Sequence, residues 1–351
     1  MSRRRAGVTI KHVAADAKVS LQTVSRVINN EPNVRPETRS RVQASIDKLG
    51  YVPLIAAQRL SGRRSYLILV LNDRDRTIAD WKARQGGDWV NQMLLGGMLK
   101  ASEHGYRLIL ELVDTHSDQI ERELATTIGA LQPDGVILTP PHSENAQICQ
   151  LLESHGIPFV RIGAAGDGPG FSVTMDDAGS AREATEHLIG LGHRRIGFIA
   201  GLPEYSLSAW RVDGWRAAMA DAGLPCEDLL VQGDFGYQSG IEATNRLLAL
   251  HPRPTAIIAS NDQMALAALE AARNMKLDVP GSLSLVSFDN TPVVRFIQPP
   301  LTAVDQPIAE TVAKAVELLI AAARGEPSHG PEVVPGHLVP RESTGPARPT
   351  G

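Results

Sequence analysis

Gln22, Ser25 and Arg26 lie three and four residues apart in the run Leu21 to Ile28, while Val24, Val27 and Ile28 form the apolar stripe of the same short helical pattern. An amide and a forked guanidinium on the outward face of such a helix can reach base edges in the DNA major groove: Arg26 suits guanine, and Gln22 suits adenine or a donor on a neighbouring base. Leu21, beside them, offers only apolar contact. On an isolated bundle these side chains would be ordinary solvated surface, so the surrounding sequence decides between the two readings. Nothing else in the chain supplies reaction chemistry. There is no His-Glu-x-x-His, Cys-x-x-Cys, nucleophile elbow or phosphate loop, and the ten histidines are scattered. The stretch Gly163 to Gly170 is glycine-rich but lacks dinucleotide spacing and reads as an interlobe loop. An enzyme, a metal site and a cofactor are therefore not expected.

The elements that would position this face are short. Thr9 caps a helical run in which Ile10, Val13, Ala14 and Ala17 share one side, and Lys18-Val19 makes a tight connection to a second helix capped by Ser20. Pro36 opens a third helix whose Val42, Ile46 and Leu49 point back at the first two. That arrangement is a helix-turn-helix. Residues 1 to 64 hold 13 Lys and Arg against 4 Asp and Glu, a net +9, while the remainder holds 22 against 35, a net −13. Such asymmetry fits a polyanion-binding module joined to an acidic body.

At 351 residues, 43% of them hydrophobic and 21% charged, the chain has material for a small module and a two-lobed body. The basic start, Met1 to Gly7, is not followed by an export signal and no stretch approaches transmembrane length, so a cytoplasmic protein without a membrane partner is expected. Cys149 and Cys226 are expected as free thiols. From Tyr66 onward, β-branched runs alternate with longer amphipathic stretches: Leu67 to Leu71, Leu108 to Val113, Val136 to Thr139, Phe159 to Ile162, Ile196 to Ala200, Ala256 to Ala259 and Leu283 to Phe288. Strand and helix in repetition imply parallel sheets covered on both faces, with ligands bound where the strands end.

The N-terminal segment resembles the lactose/galactose-repressor family. The resemblance is carried by Thr9, Ile10, Val13, Ala14, Ala17, Val19, Ser20, Thr23, Val24, Ser25, Arg26, Val27 and Asn29, and continues through Leu49-Gly50-Tyr51-Val52-Pro53 to Ala57-Gln58-Arg59-Leu60 and Gly62. It implies that Leu21, Gln22 and Arg26 read bases, and that Thr9, Ser20, Thr23, Ser25, Asn29, Asn33 and Tyr51 mostly hold phosphates, which position without specifying. It further implies that Pro53 to Gly62, with Ala57, forms a hinge helix on the operator and that Leu60 wedges into the minor groove.

The body resembles the periplasmic sugar-binding-protein fold that this family carries as its sensor. Diagnostic strings are Ala184 to Leu188, Gly192 to Ile196, Ser260 to Ala265, Ser287-Phe288-Asp289 and Pro299 to Thr302. Position by position, the resemblance implies an effector site in which Arg211 faces Asp289, Phe235 stacks and Asn261 makes a further polar contact, with Asp176 and Thr139 on loops facing the same cleft. Asn72 to Asp88 reads as a longer and more charged loop than usual, with Val90 and Asn91 where relatives often carry aromatics. Trp89, or Trp81, could supply the missing stacking surface, or the two could simply pin the loop.

The expected fold class is an all-α helix-turn-helix DNA-binding domain plus an α/β two-lobed, periplasmic-binding-protein-like sensor domain with parallel sheets. The expected boundaries are 1–52 for the DNA-binding domain, 53–64 for the hinge helix and linker, 65–341 for the effector domain and 342–351 for a flexible tail. The expected function is a homodimeric repressor released from a palindromic double-stranded DNA operator by a small sugar. A purine- or nucleoside-responsive repressor using its effector as corepressor is the alternative. The Pro- and Gly-rich C-terminus has no leucine heptad, so a tetramerising coiled coil is not expected.

Overall fold

A computed structural model of the chain describes residues 8–28, 31, 33–51, 64–84, 87–164, 166, 168–327 and 331–348. Two compact units divide at Ser65 and Tyr66. The smaller contains α1 (Ile10–Asp16), α2 (Leu21–Ile28) and α3 (Pro36–Leu49). The Thr9 amide donates to His12 Nδ1 at 3.1 Å, and Ser20 Oγ accepts from the Thr23 amide at 3.1 Å, so each of the first two helices starts on a satisfied cap. Lys18 makes the turn between them with φ of +52°. Val13, Ala14, Ala17, Val24, Val27, Val42 and Tyr51 close the core.

The larger unit alternates strands and helices. Its first lobe contains β1 (Leu67–Asp73), α4 (Arg74–Ala83), α5 (Gly87–Glu103), β2 (Arg107–Val113), α6 (Ile120–Leu131), β3 (Gly135–Leu138), α7 (Ala146–Ser154), β4 (Phe159–Ile162) and β5 (Phe171–Thr174). The second contains α8 (Asp177–Gly190), β6 (Ile196–Ala200), α9 (Ser206–Asp221), β7 (Leu230–Gln232), α10 (Tyr237–Leu248), β8 (Ala256–Ala259), α11 (Asp262–Asn274), β9 (Ser284–Asp289), α12 (Val293–Phe296) and β10 (Thr302–Asp305). The chain then returns with α13 (Ile308–Arg324) and β11 (Glu332–Val333) to the first lobe, and with β12 (His337–Val339) to the second.

Strand order is β11-β5-β4-β3-β1-β2 in one sheet and β12-β10-β9-β8-β6-β7 in the other. Every described pairing is parallel except β10 with β12. Strands β3, β4, β6 and β8 are buried along their whole length, as strands with helices on both faces must be. Helix α13 puts Ile308, Val312, Ala315, Val316 and Leu319 into the first-lobe core. Gly96 on α5 permits this: a Cβ there would lie 2.0 Å from the Ala309 carbonyl oxygen, so the helices meet backbone to backbone. The three passages between lobes lie side by side, with the Val334 amide donating to the Thr174 carbonyl at 2.9 Å and the Gly336 amide to that of Met175 at 3.3 Å.

Three expectations need correction. The segment Asn72 to Asp88 is largely helical, because Asp73 caps α4 by accepting from the Arg76 amide at 3.0 Å and Arg76 pairs with Asp80 one turn on. Helix α4 itself buries no residue, so it carries no apolar period to read. The stretch Gly163 to Gly170 joins β4 to β5 within the first lobe, folded back by Arg161 Nε donating to the Pro169 carbonyl at 2.8 Å. The supposed tail is docked through Arg348: Ser343 is fully buried, donating to the Leu285 carbonyl at 2.6 Å and accepting from the Thr302 amide at 2.8 Å. The Gly345 and Ala347 amides bond to Ser284 Oγ and the Leu191 carbonyl. These residues satisfy backbone groups at the start of β9 and β10 that would otherwise be orphaned. Both cysteines are free. Among the described residues no helix is long and apolar enough to cross a membrane.

Candidate effector cleft and DNA-reading helix

In the smaller unit the buried side of α2 is Val24 and Val27; Leu21, Gln22 and Arg26 are exposed, and Ser25 and Thr23 are half-buried beside them. Arg26 is held only loosely, 3.6 Å from Glu31, with nearly half its side chain open to solvent. Thr9, Ser20 and Asn33 are exposed around this face, whereas Tyr51 packs into the core. Asn29, Ala57 and Leu60 lie outside the described residues.

The larger unit has a cavity of about 910 Å³, including its mouth, between the C-terminal ends of the strands of both sheets. Such a crevice is where open parallel sheets bind ligands, because loops and helix N-termini converge there. From the second lobe come Tyr205 and Leu207 after β6, Phe235 after β7, Asn261 and Asp262 after β8, Asp289 and Thr291 around the end of β9, and Arg211 from α9. From the first come Asp73, Arg76, Thr77 and Asp80 of the β1–α4 corner, and Asp88 and Trp89 of α5.

Arg211 is 3% exposed and over-determined. Its Nε donates to Asp177 Oδ1 at 2.8 Å and Nη2 to Gln306 Oε1 at 3.0 Å, Nη1 donates to the Ser260 carbonyl, and the guanidinium lies 4.6 Å from the Phe288 ring centroid. Gln306 Nε2 also donates to Asp177 Oδ1 at 3.0 Å. Arg211 is thus fixed by two of the three interlobe passages, and three of its five N–H groups are engaged. Asn261 caps α11, accepting from the Met264 amide at 2.9 Å, and donates to the Phe235 carbonyl at 2.8 Å. It holds Phe235 in the left-handed region, φ +66°, with the ring edge-on to Tyr205. Asp289 is also left-handed, φ +87°. Strained backbone of this kind clusters where surrounding structure must aim a side chain.

Asp262 accepts from Ser287 Oγ and, at 2.6 Å, from the Thr291 amide. Burial raises both Asp262 and Asp289 above the ordinary carboxylate range. Repulsion from Asp289 adds to the rise at Asp262, and Arg211 only partly offsets the rise at Asp289. Asp80 is likewise raised by burial, against the pull of Arg76. Four polar contacts bridge the lobes at the rim. Tyr205 donates to Asp73 Oδ2 at 2.9 Å, Arg76 to the Asp234 carbonyl and Ser206 to Glu144, while His116 Nε2 lies 3.4 Å from Glu204.

Arg211, Asp289, Asn261, Phe235 and Trp89 therefore converge on one cleft, and two expected residues do not. Asp176 is exposed and turns its carboxylate to the Gly179 amide as the cap of α8; its neighbour Asp177 is the buried partner of Arg211. Thr139 is wholly buried and donates to the Leu71 carbonyl and Asn72 Oδ1, behind the wall rather than on it. Trp81 is 76% exposed on the outside of α4, which leaves Trp89 as the first-lobe aromatic. Asp73, Asp80, Asp88, Tyr205 and Gln306 were not singled out from the sequence. Asp73, Tyr205 and Gln306 each follow the end of a β-rich run, and that position is the signal that finds them.

Residues 9–53 match the family described as bacterial regulatory proteins, lacI family, and residues 185–344 match the periplasmic binding protein-like domain. The HTH-type transcriptional regulator CelR of Thermobifida fusca is 35% identical, over 97% of this chain and 99% of its own. A solved CelR–cellobiose complex matches with a TM-score of 0.72 and 33% identity, over 96% of this chain and 99% of the other. The lac repressor dimer bound to operator and the anti-inducer ONPF matches at 0.78 with 27% identity, over 97% and 100%.

Proposed function

The chain belongs to the lacI family of bacterial regulatory proteins, a family of DNA-binding transcriptional regulators rather than enzymes, and on that premise we propose that it is a repressor released from its operator by a small sugar. The observation that carries this reading is the convergence of Arg211, Asp289 and Asn261 beside the Phe235 ring in a cleft between strand ends. Forked donors and a carboxylate acceptor pair with vicinal hydroxyls, and an aromatic face covers the apolar side of a pyranose. The CelR–cellobiose complex supports a sugar, and the operator-bound lac repressor dimer supports a homodimer on DNA. A two-fold dimer in turn reads a palindrome. Apolar side chains exposed on both lobes support self-association: Leu95, Met98 and Leu99 on α5, and Phe296, 85% exposed, on α12. Effector binding shifts the balance between lobe orientations, and the coupling to DNA is reciprocal.

A purine or nucleoside corepressor is the second reading, favoured by one feature: Trp89 and Phe235 line the cleft from opposite lobes, as a ring clamped on both faces would require. A thermal-shift screen of the whole protein against sugars, sugar acids, purines and nucleosides separates the two, since a ligand binding only the folded state raises the melting temperature. A sugar hit that also lowers affinity for a selected operator supports release. Stabilisation by purines alone, with tighter operator binding, replaces it with the corepressor reading.

A further inference from the structure

Helix α4 is attached to the molecule unevenly. None of its residues is buried, so it adds little to the core of the lobe that carries it. Its side-chain bonds to the first lobe come from its cap and first turn. Asp73 Oδ1 accepts from the Arg76 amide at 3.0 Å, Asn72 Nδ2 donates to Thr77 Oγ1 at 2.8 Å, and Arg74 Nη2 donates to Asp114 Oδ2 at 2.7 Å. From Ile78 to Arg84, among the described residues, the one side chain with a bond is Asp80, and its partner is Arg76 inside the helix. Two further bonds run from the same first turn to the opposite lobe. Tyr205 donates to the other oxygen of Asp73, Oδ2, at 2.9 Å, and Arg76 Nη1 donates to the Asp234 carbonyl. Asp73 thus caps the helix with one oxygen and receives the second lobe with the other. Both second-lobe partners flank Phe235: Asp234 precedes it in the chain, and the Tyr205 ring lies edge-on to it with centroids 5.7 Å apart. Arg76, Thr77 and Asp80 line the cleft, whereas Trp81 is exposed to solvent.

A wall element that buries nothing opens with little loss of packing. What holds this one across the cleft is a pair of charge-assisted hydrogen bonds beside an aromatic ring. Resting on the effector-cleft reading above, we infer that α4 is a lid over the cleft, hinged at Asp73 to Thr77, and that Tyr205 is the positioning residue that latches it. Opening breaks the Tyr205–Asp73 and Arg76–Asp234 bonds but leaves the Asp73 cap in place, so the helix swings without unwinding. A ligand stacked on Phe235 lies beside the latch, and shutting the lid separates it from water.

Hydrogen exchange of the whole protein, read by mass spectrometry on peptides covering Arg74 to Ala83, tests the lid without any effector. In the wild type α4 should exchange faster than α5. Tyr205→Phe keeps the ring against Phe235 and removes only the latching hydroxyl, so exchange in α4 should rise about tenfold while α5 and β1 keep their wild-type rates. Ser206→Ala removes the rim bond to Glu144 and no bond to α4, so it should leave α4 unchanged. An α4 as protected as α5, no rise in Tyr205→Phe, or a rise shared by the whole first lobe overturns the lid. Repeating the measurement with glucose, cellobiose, adenine and adenosine separates the lid from the effector reading. Any of these that raises the melting temperature should slow exchange in α4 of the wild type, and slow it less in Tyr205→Phe. One that protects the segment around Phe235 but not α4 overturns the lid and leaves the effector cleft standing. If none of the four protects either segment while α4 responds to Tyr205→Phe as expected, the lid stands and the effector reading loses support.

Discussion

The two lobes share a strand order, yet they build their halves of the cleft in different ways. The second lobe fixes its cleft-lining groups from behind: Arg211 by Asp177 and Gln306, Asn261 by the first turn of α11, and Asp262 by Ser287 and Thr291. The first lobe presents much of its half on α4, a helix that buries no residue and is pinned by surface ion pairs and rim contacts. One wall is preorganised, so it loses little entropy on binding. The other rests on side chains whose replacement disturbs little of the core.

Four substitutions test that contrast. Arg211→Ala leaves Asp177 as an unpaired buried carboxylate, so chemical denaturation should show a loss of about 3–5 kcal/mol along with loss of effector binding. A loss under about 1 kcal/mol would mean that the second wall is no more rigid than the first. Gly201→Ala places a Cβ 1.9 Å from Phe235 Cζ. Displacing that ring should lower stability by about 1–3 kcal/mol and weaken effector affinity, since no open space takes the methyl.

The third is a pH effect. Asp262, pushed up to about 7, holds its proton in the folded protein at pH values where the unfolded chain has lost it. Its contribution to stability is therefore fully present below about pH 4 and is lost as pH rises through the folded value. Unfolding curves from pH 5 to 8 should show that decline, and Asp262→Asn should flatten it. Arg76→Ala has the smallest expected effect. It removes an ion pair with about a quarter of each side chain exposed, so stability should move by less than about 1 kcal/mol, while the ranking of effectors changes.

The same contrast governs what could be read from the sequence. The three N-terminal helices and the apolar runs that became β1, β2, β3, β4, β6, β8 and β9 were legible because their burial imposes a period or an unbroken apolar stretch. β7, β11 and β12, at two or three residues each, are too short to leave one. In the second wall Arg211, Asn261, Phe235 and Asp289 were identified from resemblance. In the first the resemblance gave no aromatic and left Trp89 and Trp81 as alternatives, because α4 has no apolar stripe and reads as a charged loop. Asp176 stood in for Asp177 because the position next to a cap differs from the cap only in which way its side chain turns, and that is settled by packing against α9. Resemblance put Thr139 on a loop facing the cleft, and the structure turns it inward to hold Asn72.

The return of α13 to the first lobe also sets an order of events during synthesis. The second lobe is encoded almost without interruption from Asp177 to Asp305, but the core of the first is incomplete until Ile308 to Leu319 arrives to lie against α5. A nascent chain that has reached Thr174 has a sheet with one face covered by α5 alone, and at ordinary translation rates it waits on the order of ten seconds for the missing helix. For that interval the lobe made first remains the lobe completed last.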